Sequence, residues 1–265
     1  MSKNILSIPI KNNKKSKTLM DFIDSDIELH TLWKCSNILA IDRMGYSDHG
    51  PVHVKIVANR AIKLLRTLLE KNIEPGIKVN YNLSSDDAEL VILLASVTHD
   101  LGMSIIRDGH EVFSVQLARD IMHRCLPLIY GPEEATIIAS EVSHAIISHQ
   151  ASVKPLTLEA GIVKVADALD MEQGRARIPY KSGRVNIHSV SALSIEKVSI
   201  EEGKEKPINI RIEMSNPAGI FQVDNLLATK IRDSGLEGYL SVEVIVGEKK
   251  ERFTMDDIKL RLEGL

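Results

Sequence analysis

Only two cysteines, Cys35 and Cys125, occur in 265 residues. Two thiols cannot build a disulfide framework. Their scarcity excludes the small disulfide-rich scaffolds and fits a reducing cytosol, so a cytoplasmic location is expected. A surplus of either charge is also lacking: 33 Lys and Arg stand against 36 Asp and Glu, a formal net charge of −3. Such a chain has no global electrostatic reason to seek nucleic acid or an anionic membrane, although a local patch stays open to it. No apolar run approaches the roughly 20 residues needed to span a bilayer. The lysines Lys11, Lys14, Lys15 and Lys17 are not followed by a long apolar segment, so no secretory signal is expected. Internal repeats and low-complexity tracts are missing too. Aromatic residues make up only 4%, yet the 44% apolar content is enough for a real core and excludes wholesale disorder.

Histidine is what the chain does have. There are nine, and seven of them (His49, His53, His99, His110, His123, His144 and His149) fall between residues 49 and 149. The same stretch reads as helical. In 51–71, Val54, Val57, Ala58, Ala61, Leu64, Leu65 and Leu68 recur at the spacing of one helix face, and Pro51 suits a first helical turn. Residues 85–101 open with Ser84 or Ser85 as N-cap and acidic Asp86, Asp87 and Glu89, then run nearly all apolar to Val97. Further helices are predicted over 111–126, 132–149 and 156–171. After about residue 180 the period changes to two, in 185–190, 193–200, 208–214 and 239–246, with a hairpin turn at Gly203 and a helix over 219–233. The chain is therefore expected to be mainly α. An all-helical domain over 1–180 precedes a smaller β-rich α+β domain over 181–265.

The helical part carries the chemistry. His53 lies one turn into its helix, after Asp48-His49-Gly50-Pro51. His99-Asp100 closes an almost wholly apolar helix, and Asp167 sits in Val165-Ala166-Asp167-Ala168-Leu169. Buried carboxylates need partners, and imidazole with carboxylate is the donor set of first-row divalent metals. A His, then a His-Asp doublet, then a distant Asp on successive helices resembles the HD superfamily of metal-dependent phosphohydrolases. LLASVTHDLG resembles that family's helix ending in HD, and GIVKVADALDM its last metal-bearing helix. The likeness covers roughly residues 49–175.

The resemblance implies that His53, His99, Asp100 and Asp167 bind metal: one or two divalent ions of manganese, iron, zinc, nickel, cobalt or magnesium. His110, opening a helix after Gly109, resembles a second-metal ligand. A histidine ending the next helix after Ala145-Ile146-Ile147 resembles another, which points to His149. His144 and His149 are five residues apart, about 140° around a helix. Both are metal-ligand candidates, one expected as ligand and the other as a hydrogen-bonding or acid group, both lining the pocket. Asp100, His110 and His144 are the catalytic candidates. His49 is placed on a loop at the site mouth; His30, His123 and His188 are read as having no catalytic role. Arg43, Lys55, Arg107, Lys164, Arg175 and Arg177 are candidates to clamp phosphate, with solvated charge as the alternative for each.

The branch stays open. Met103 stands where the cyclic-dinucleotide branch has lysine, its GYP signature is absent, and Ser104 and Ile105 replace a further histidine of the deoxynucleotide triphosphohydrolases. The expected substrate is a small phosphorylated molecule, a nucleotide foremost, with no membrane partner. A nucleotide-sensing module without turnover and a nucleic-acid phosphodiesterase are the alternatives; the charge balance argues against the last. The Asn216-Pro217-Ala218-Gly219 string is a turn into a helix, structural or anion-binding, and the second domain could serve self-association into a homo-oligomer or ligand sensing.

Overall fold

The computed structural model describes residues 5–174, 191, 193–247 and 251–254. Two helices precede the segment in which the histidines cluster. In α1 (Lys14–Ser25), Asn13 accepts from the Ser16 amide and Ser16, Leu19, Met20 and Ile23 form the buried stripe. In α2 (Ile27–Asn37), Asp26 caps by accepting from Leu29 N–H, and the indole of Trp33 donates to the Val97 carbonyl 2.9 Å away. A π-turn over Ile38–Arg43 follows. Apolar periodicity predicts none of these elements.

The helices predicted over residues 51–171 are all present, with ends that differ by at most three residues. They are α3 (Pro51–Glu70), α5 (Ser85–Thr98), α6 (His110–Cys125), α7 (Pro132–Ser148) and α8 (Leu158–Leu169), with the short α4 (Gly76–Tyr81) between the first two. Helix α5 is the axis of the array. Every residue from Asp87 to Thr98 is buried, and α1, α3, α4, α6, α7 and α8 all pack on it. A helix apolar all round has no other stable place than the centre. Each fully buried Val, Leu or Ile contributes about 1.5–3 kcal/mol.

The remainder forms a four-stranded sheet in the order β1 (Ile195–Glu202), β2 (Ile208–Met214), β3 (Leu240–Val246), β4 (Glu251–Thr254). The β1–β2 and β3–β4 pairs are antiparallel and β2–β3 is parallel. The Gly203 turn joins β1 to β2 through a bond from its N–H to the Pro207 carbonyl. The alternation read in 208–214 becomes a buried row of Ile208, Ile210, Ile212 and Met214. The expected helix over 219–233 is a mixed one: a 3₁₀ turn at Pro217–Gly219, then Ile220–Gln222, a π stretch Val223–Ala228, and Thr229–Arg232. Asn216 caps it, its side chain accepting from Ala218 N–H and from the Ser194 hydroxyl. The Asn216 oxygen is thus spent on the turn itself. The expected strand at 185–190 lies outside the described residues.

The sheet rests on α3, and residues 223–232 rest on α8. No helix among the described residues is long and apolar enough to cross a membrane.

Candidate metal centre

Five helix ends converge on one point. His53 is in the first turn of α3, His99 and Asp100 follow the last turn of α5, His110 opens α6, His149 ends α7, and Asp167 is in the last turn of α8. Local chemistry fixes each. The Asp48 carboxylate accepts from the backbone N–H of Gly50 (3.1 Å) and His53 (3.0 Å), tying down the start of α3. Gly102 lets α6 approach: a side chain there would put its Cβ 2.0 Å from the His110 carbonyl oxygen. Its N–H instead donates to the Ser114 hydroxyl at 2.8 Å. Gly109, the N-cap of α6, has φ +74°, a left-handed conformation that favours glycine.

Asp100 is the hub. Its Oδ2 lies 3.2 Å from His53 Nε2 and 3.4 Å from His99 Nε2. Its Oδ1 lies 3.1 Å from His110 Nε2 and 3.7 Å from His149 Nε2. Asp167 Oδ1 is 3.3 Å from His53 Nε2 and 3.9 Å from His99 Nε2. Two sets of donors therefore share Asp100: His53, His99 and Asp100, and Asp100, His110 and His149.

The tautomers follow from the far side of each ring. His99 Nδ1 faces the Ser96 carbonyl (2.9 Å), His110 Nδ1 that of Arg107 (2.7 Å) and His149 Nδ1 that of Ile146 (2.6 Å). A carbonyl only accepts, so each Nδ1 carries the proton. His53 Nδ1 donates to the Asp170 carboxylate at 2.6 Å. In its neutral form each ring then turns a lone pair at Nε2 inward. The Nε2 atoms of His53 and His99 are 3.1 Å apart, and those of His110 and His149 3.3 Å. Lone pairs do not bind one another. Two imidazoles each about 2.0–2.1 Å from a shared cation have this separation. The donor set fits a divalent metal, and the partners behind the rings are those that orient metal-bound histidines.

Electrostatics favour the neutral ring at His149 and His99 and the protonated one at His110, where burial is outweighed by the hydrogen bond and charge of Asp100, which raise the pKa. Burial pushes the His149 pKa down to about 3, and His99 beside it adds to the effect, so the ring stays neutral and able to ligate. Burial also lowers His99. For Asp100, burial works against ionisation, but His99, His110 and His53 outweigh it and hold the carboxyl well below the usual range. Asp167 is likewise opposed by burial and held well below that range by Lys230 and His53.

Other expected residues fall differently. His49 is buried on its loop with its ring 5.8 Å from that of His53. Arg107 is exposed beside His110 and stacks over Tyr46 at 4.3 Å. Arg43 is exposed on the π-turn. His144 is not in the cluster: its Nε2 accepts from Leu156 N–H at 3.0 Å and its Nδ1 meets the Ser148 hydroxyl at 3.3 Å. The 140° offset from His149 turns it to another face of α7. Lys164 is no surface clamp. It is fully buried, and its ammonium donates to the carbonyls of Ala151 (3.2 Å) and Val153 (2.7 Å), fastening the loop after His149. Arg175 and Arg177 lie outside the described residues.

Two participants went unassigned in the sequence. Asp170, behind His53, sits in the VADALDM string, where the local pattern gives it no separate role. Lys230, from the far end of the chain, contacts Asp167 Oδ2 directly. Nothing in local sequence pairs residues 63 positions apart.

A helical array presenting histidine and aspartate from its helix ends defines a metal-binding domain of the His…His-Asp…Asp type. The HD domain family model matches residues 52–172. An uncharacterized protein of Methanocaldococcus jannaschii is 45% identical over 237 residues, covering 89% of this chain and 92% of that one. No solved structure matches. The chain belongs to the HD superfamily of metal-dependent phosphohydrolases.

Proposed function

We propose that the protein hydrolyses a phosphoester bond of a small phosphorylated substrate, a nucleotide foremost, with two divalent ions. The carrying observation is the position of Asp100, one carboxylate oxygen toward each of two histidine pairs. A carboxylate has two oxygens, and bridging is the role that uses both. His53, His99, Asp100 and Asp167 would hold the first ion, and Asp100, His110 and His149 the second, from among manganese, iron, zinc, nickel, cobalt and magnesium. Bound ions supply there Lewis acidity toward phosphoryl oxygens and water made nucleophilic near neutral pH.

The chain's own residues do the rest. Asp170 keeps His53 in the Nδ1–H tautomer, and the carbonyls of Ser96, Arg107 and Ile146 do the same for the other three rings. The donors are thereby organised before any ligand arrives, which lowers the reorganisation cost of charge stabilisation. His110, the most accessible of the four rings, and exposed Arg107 mark the side from which substrate enters. The near-neutral charge of the chain suits a small substrate better than a polymer.

The test is metal analysis of the purified protein, then assay of a nucleotide panel and a chromogenic phosphodiester with manganese, nickel, cobalt and magnesium. Two equivalents of metal and metal-dependent phosphate release are expected. A protein that holds no metal, or that turns over equally well after exhaustive chelation, overturns the reading.

A further inference from the structure

Lys230 is a cation where a metal site by itself has no use for one. Its ammonium contacts Asp167 Oδ2, while Oδ1 of the same carboxylate faces His53 and His99. A protonated lysine cannot ligate metal, and a positive charge one carboxylate away opposes the binding of a cation. An anion in the site reverses that balance. The ammonium has three donors and Asp167 takes one. The side chain is 20% exposed and that of Asp167 13%, so the pair lies at the edge of the buried cluster, within reach of solvent.

The fold holds Lys230 there deliberately. It belongs to the short helix Thr229–Arg232, which packs on α8. Just beyond it, the Ser234 carbonyl comes so close to Gly161 of α8 that a Cβ would lie 2.3 Å from the oxygen. Val223, Leu227 and Leu236, on either side, are completely buried. The β-rich part of the chain is thus clamped on the helix that carries Asp167, and the lysine is what it contributes to the site. The residue expected from sequence to meet phosphate, Lys164, is spent on the Ala151 and Val153 carbonyls.

We propose that Lys230, delivered by the C-terminal part of the chain, completes the phosphate-binding site: it rests on Asp167 and donates to a phosphoryl oxygen of the ligand. The proposal rests on the phosphohydrolase reading and adds its substrate clamp. It makes the site dependent on both parts of the chain.

The sign of two binding constants tests it. Titration calorimetry on the full-length protein would measure Mn²⁺ binding, and then binding of inorganic phosphate to the manganese-loaded protein, for wild type, Lys230→Met and Lys230→Arg. Lys230→Met is expected to bind Mn²⁺ as tightly as wild type or more tightly, since a repelling charge is gone. Its affinity for phosphate should fall by about tenfold or more, the loss of one charge-assisted hydrogen bond. Lys230→Arg should recover most of that affinity. Lys230→Gln, neutral and more polar, replaces the Met variant should that fail to fold. Equal phosphate binding by wild type and the neutral variant overturns the clamp alone. Loss of Mn²⁺ binding in the neutral variant also overturns it, because Lys230 would then serve only to position Asp167. Wild-type protein that takes up manganese and binds no phosphate overturns both the clamp and the functional reading.

Discussion

Helix α5 carries a buried aspartate near each end, and the two do opposite things. At the N-terminal end, Asp87 accepts from the backbone N–H (2.8 Å) and hydroxyl (2.6 Å) of Ser84, from Lys15 (2.6 Å) and from the Tyr130 hydroxyl. Beyond the C-terminal end, Asp100 faces the Nε2 atoms of four imidazoles whose Nδ1 atoms are engaged elsewhere. Burial disfavours the charge in both, and both are nevertheless held below the usual range by their partners. The difference lies in the donors. Asp87 is surrounded by groups that give protons and is satisfied by them. Asp100 is surrounded by imidazole Nε2 atoms, which meet a carboxylate through a proton or through a shared cation. Burial and lowered pKa do not separate Asp87 from Asp100; the chemistry of the neighbours does.

Asp100→Asn strikes this contrast hardest. The amide cannot bridge two ions, so phosphoester hydrolysis should fall to background. The rise in Tm that manganese gives the wild type should vanish with it, which thermal melts with and without metal would show. Should Asp100→Asn keep both, the two ends of α5 are alike after all.

Asp87→Asn should do the reverse, leaving metal uptake untouched and costing about 2–3 kcal/mol of stability through lost charge-assisted bonds. The pH dependence has a definite sign. Because the folded pKa lies below the ordinary 3.8, the stabilisation is complete above that value and is lost as pH falls through the folded pKa. Denaturant melts between neutral pH and pH 2 should show an acid-side loss in wild type that is smaller in Asp87→Asn. A variant that binds manganese poorly would break the division of labour.

Asp170→Asn tests how far the C-terminal site depends on groups behind the ligands. Its partner His53 would lose the carboxylate that fixes its tautomer, and manganese affinity by calorimetry should drop about 10–100-fold with the fold intact. Unchanged affinity would mean that packing alone orients His53.

The smallest effect belongs to another buried carboxylate, Glu141 on α7. Its Oε2 finds no hydrogen-bond partner among the described residues. Burial, helped by nearby Glu159, raises its pKa above 4.5 against the hydrogen bond it accepts from the Tyr81 hydroxyl. The charged form is therefore penalised in the folded state at neutral pH, and the penalty is relieved as pH falls through the raised value. Glu141→Gln should gain roughly 0.5–1 kcal/mol near pH 7 in denaturant melts, with no change in metal binding. A loss of stability instead would show that this carboxylate is satisfied in the manner of Asp87.

Much of this site is legible without coordinates. The periodicity of 51–70 and the unbroken apolar run of α5 are strong signals, and His53, His99-Asp100 and Asp167 stand out because polar residues interrupt buried faces. Helices α1 and α2 are hard to read because their stripes are short and mixed with polar residues; α1 is buried against α5, and α2 against the turn that follows α5 and against α3. His144 and Lys164 were misjudged for a related reason. The sequence places each close to a ligand along a helix, but which way a side chain turns, and which carbonyl takes its proton, depends on the loop packed against it.

The helical array, the family and the ligand types follow from hydrophobic period and residue chemistry, which are local properties. That Asp100 faces two pairs of imidazoles, that Asp170 stands behind His53 and that Lys230 reaches Asp167 depends on tertiary packing. These are meetings between residues tens to more than a hundred positions apart. Their geometry comes from how close helices can pack, as at Gly102 and Gly161, and no local pattern encodes that.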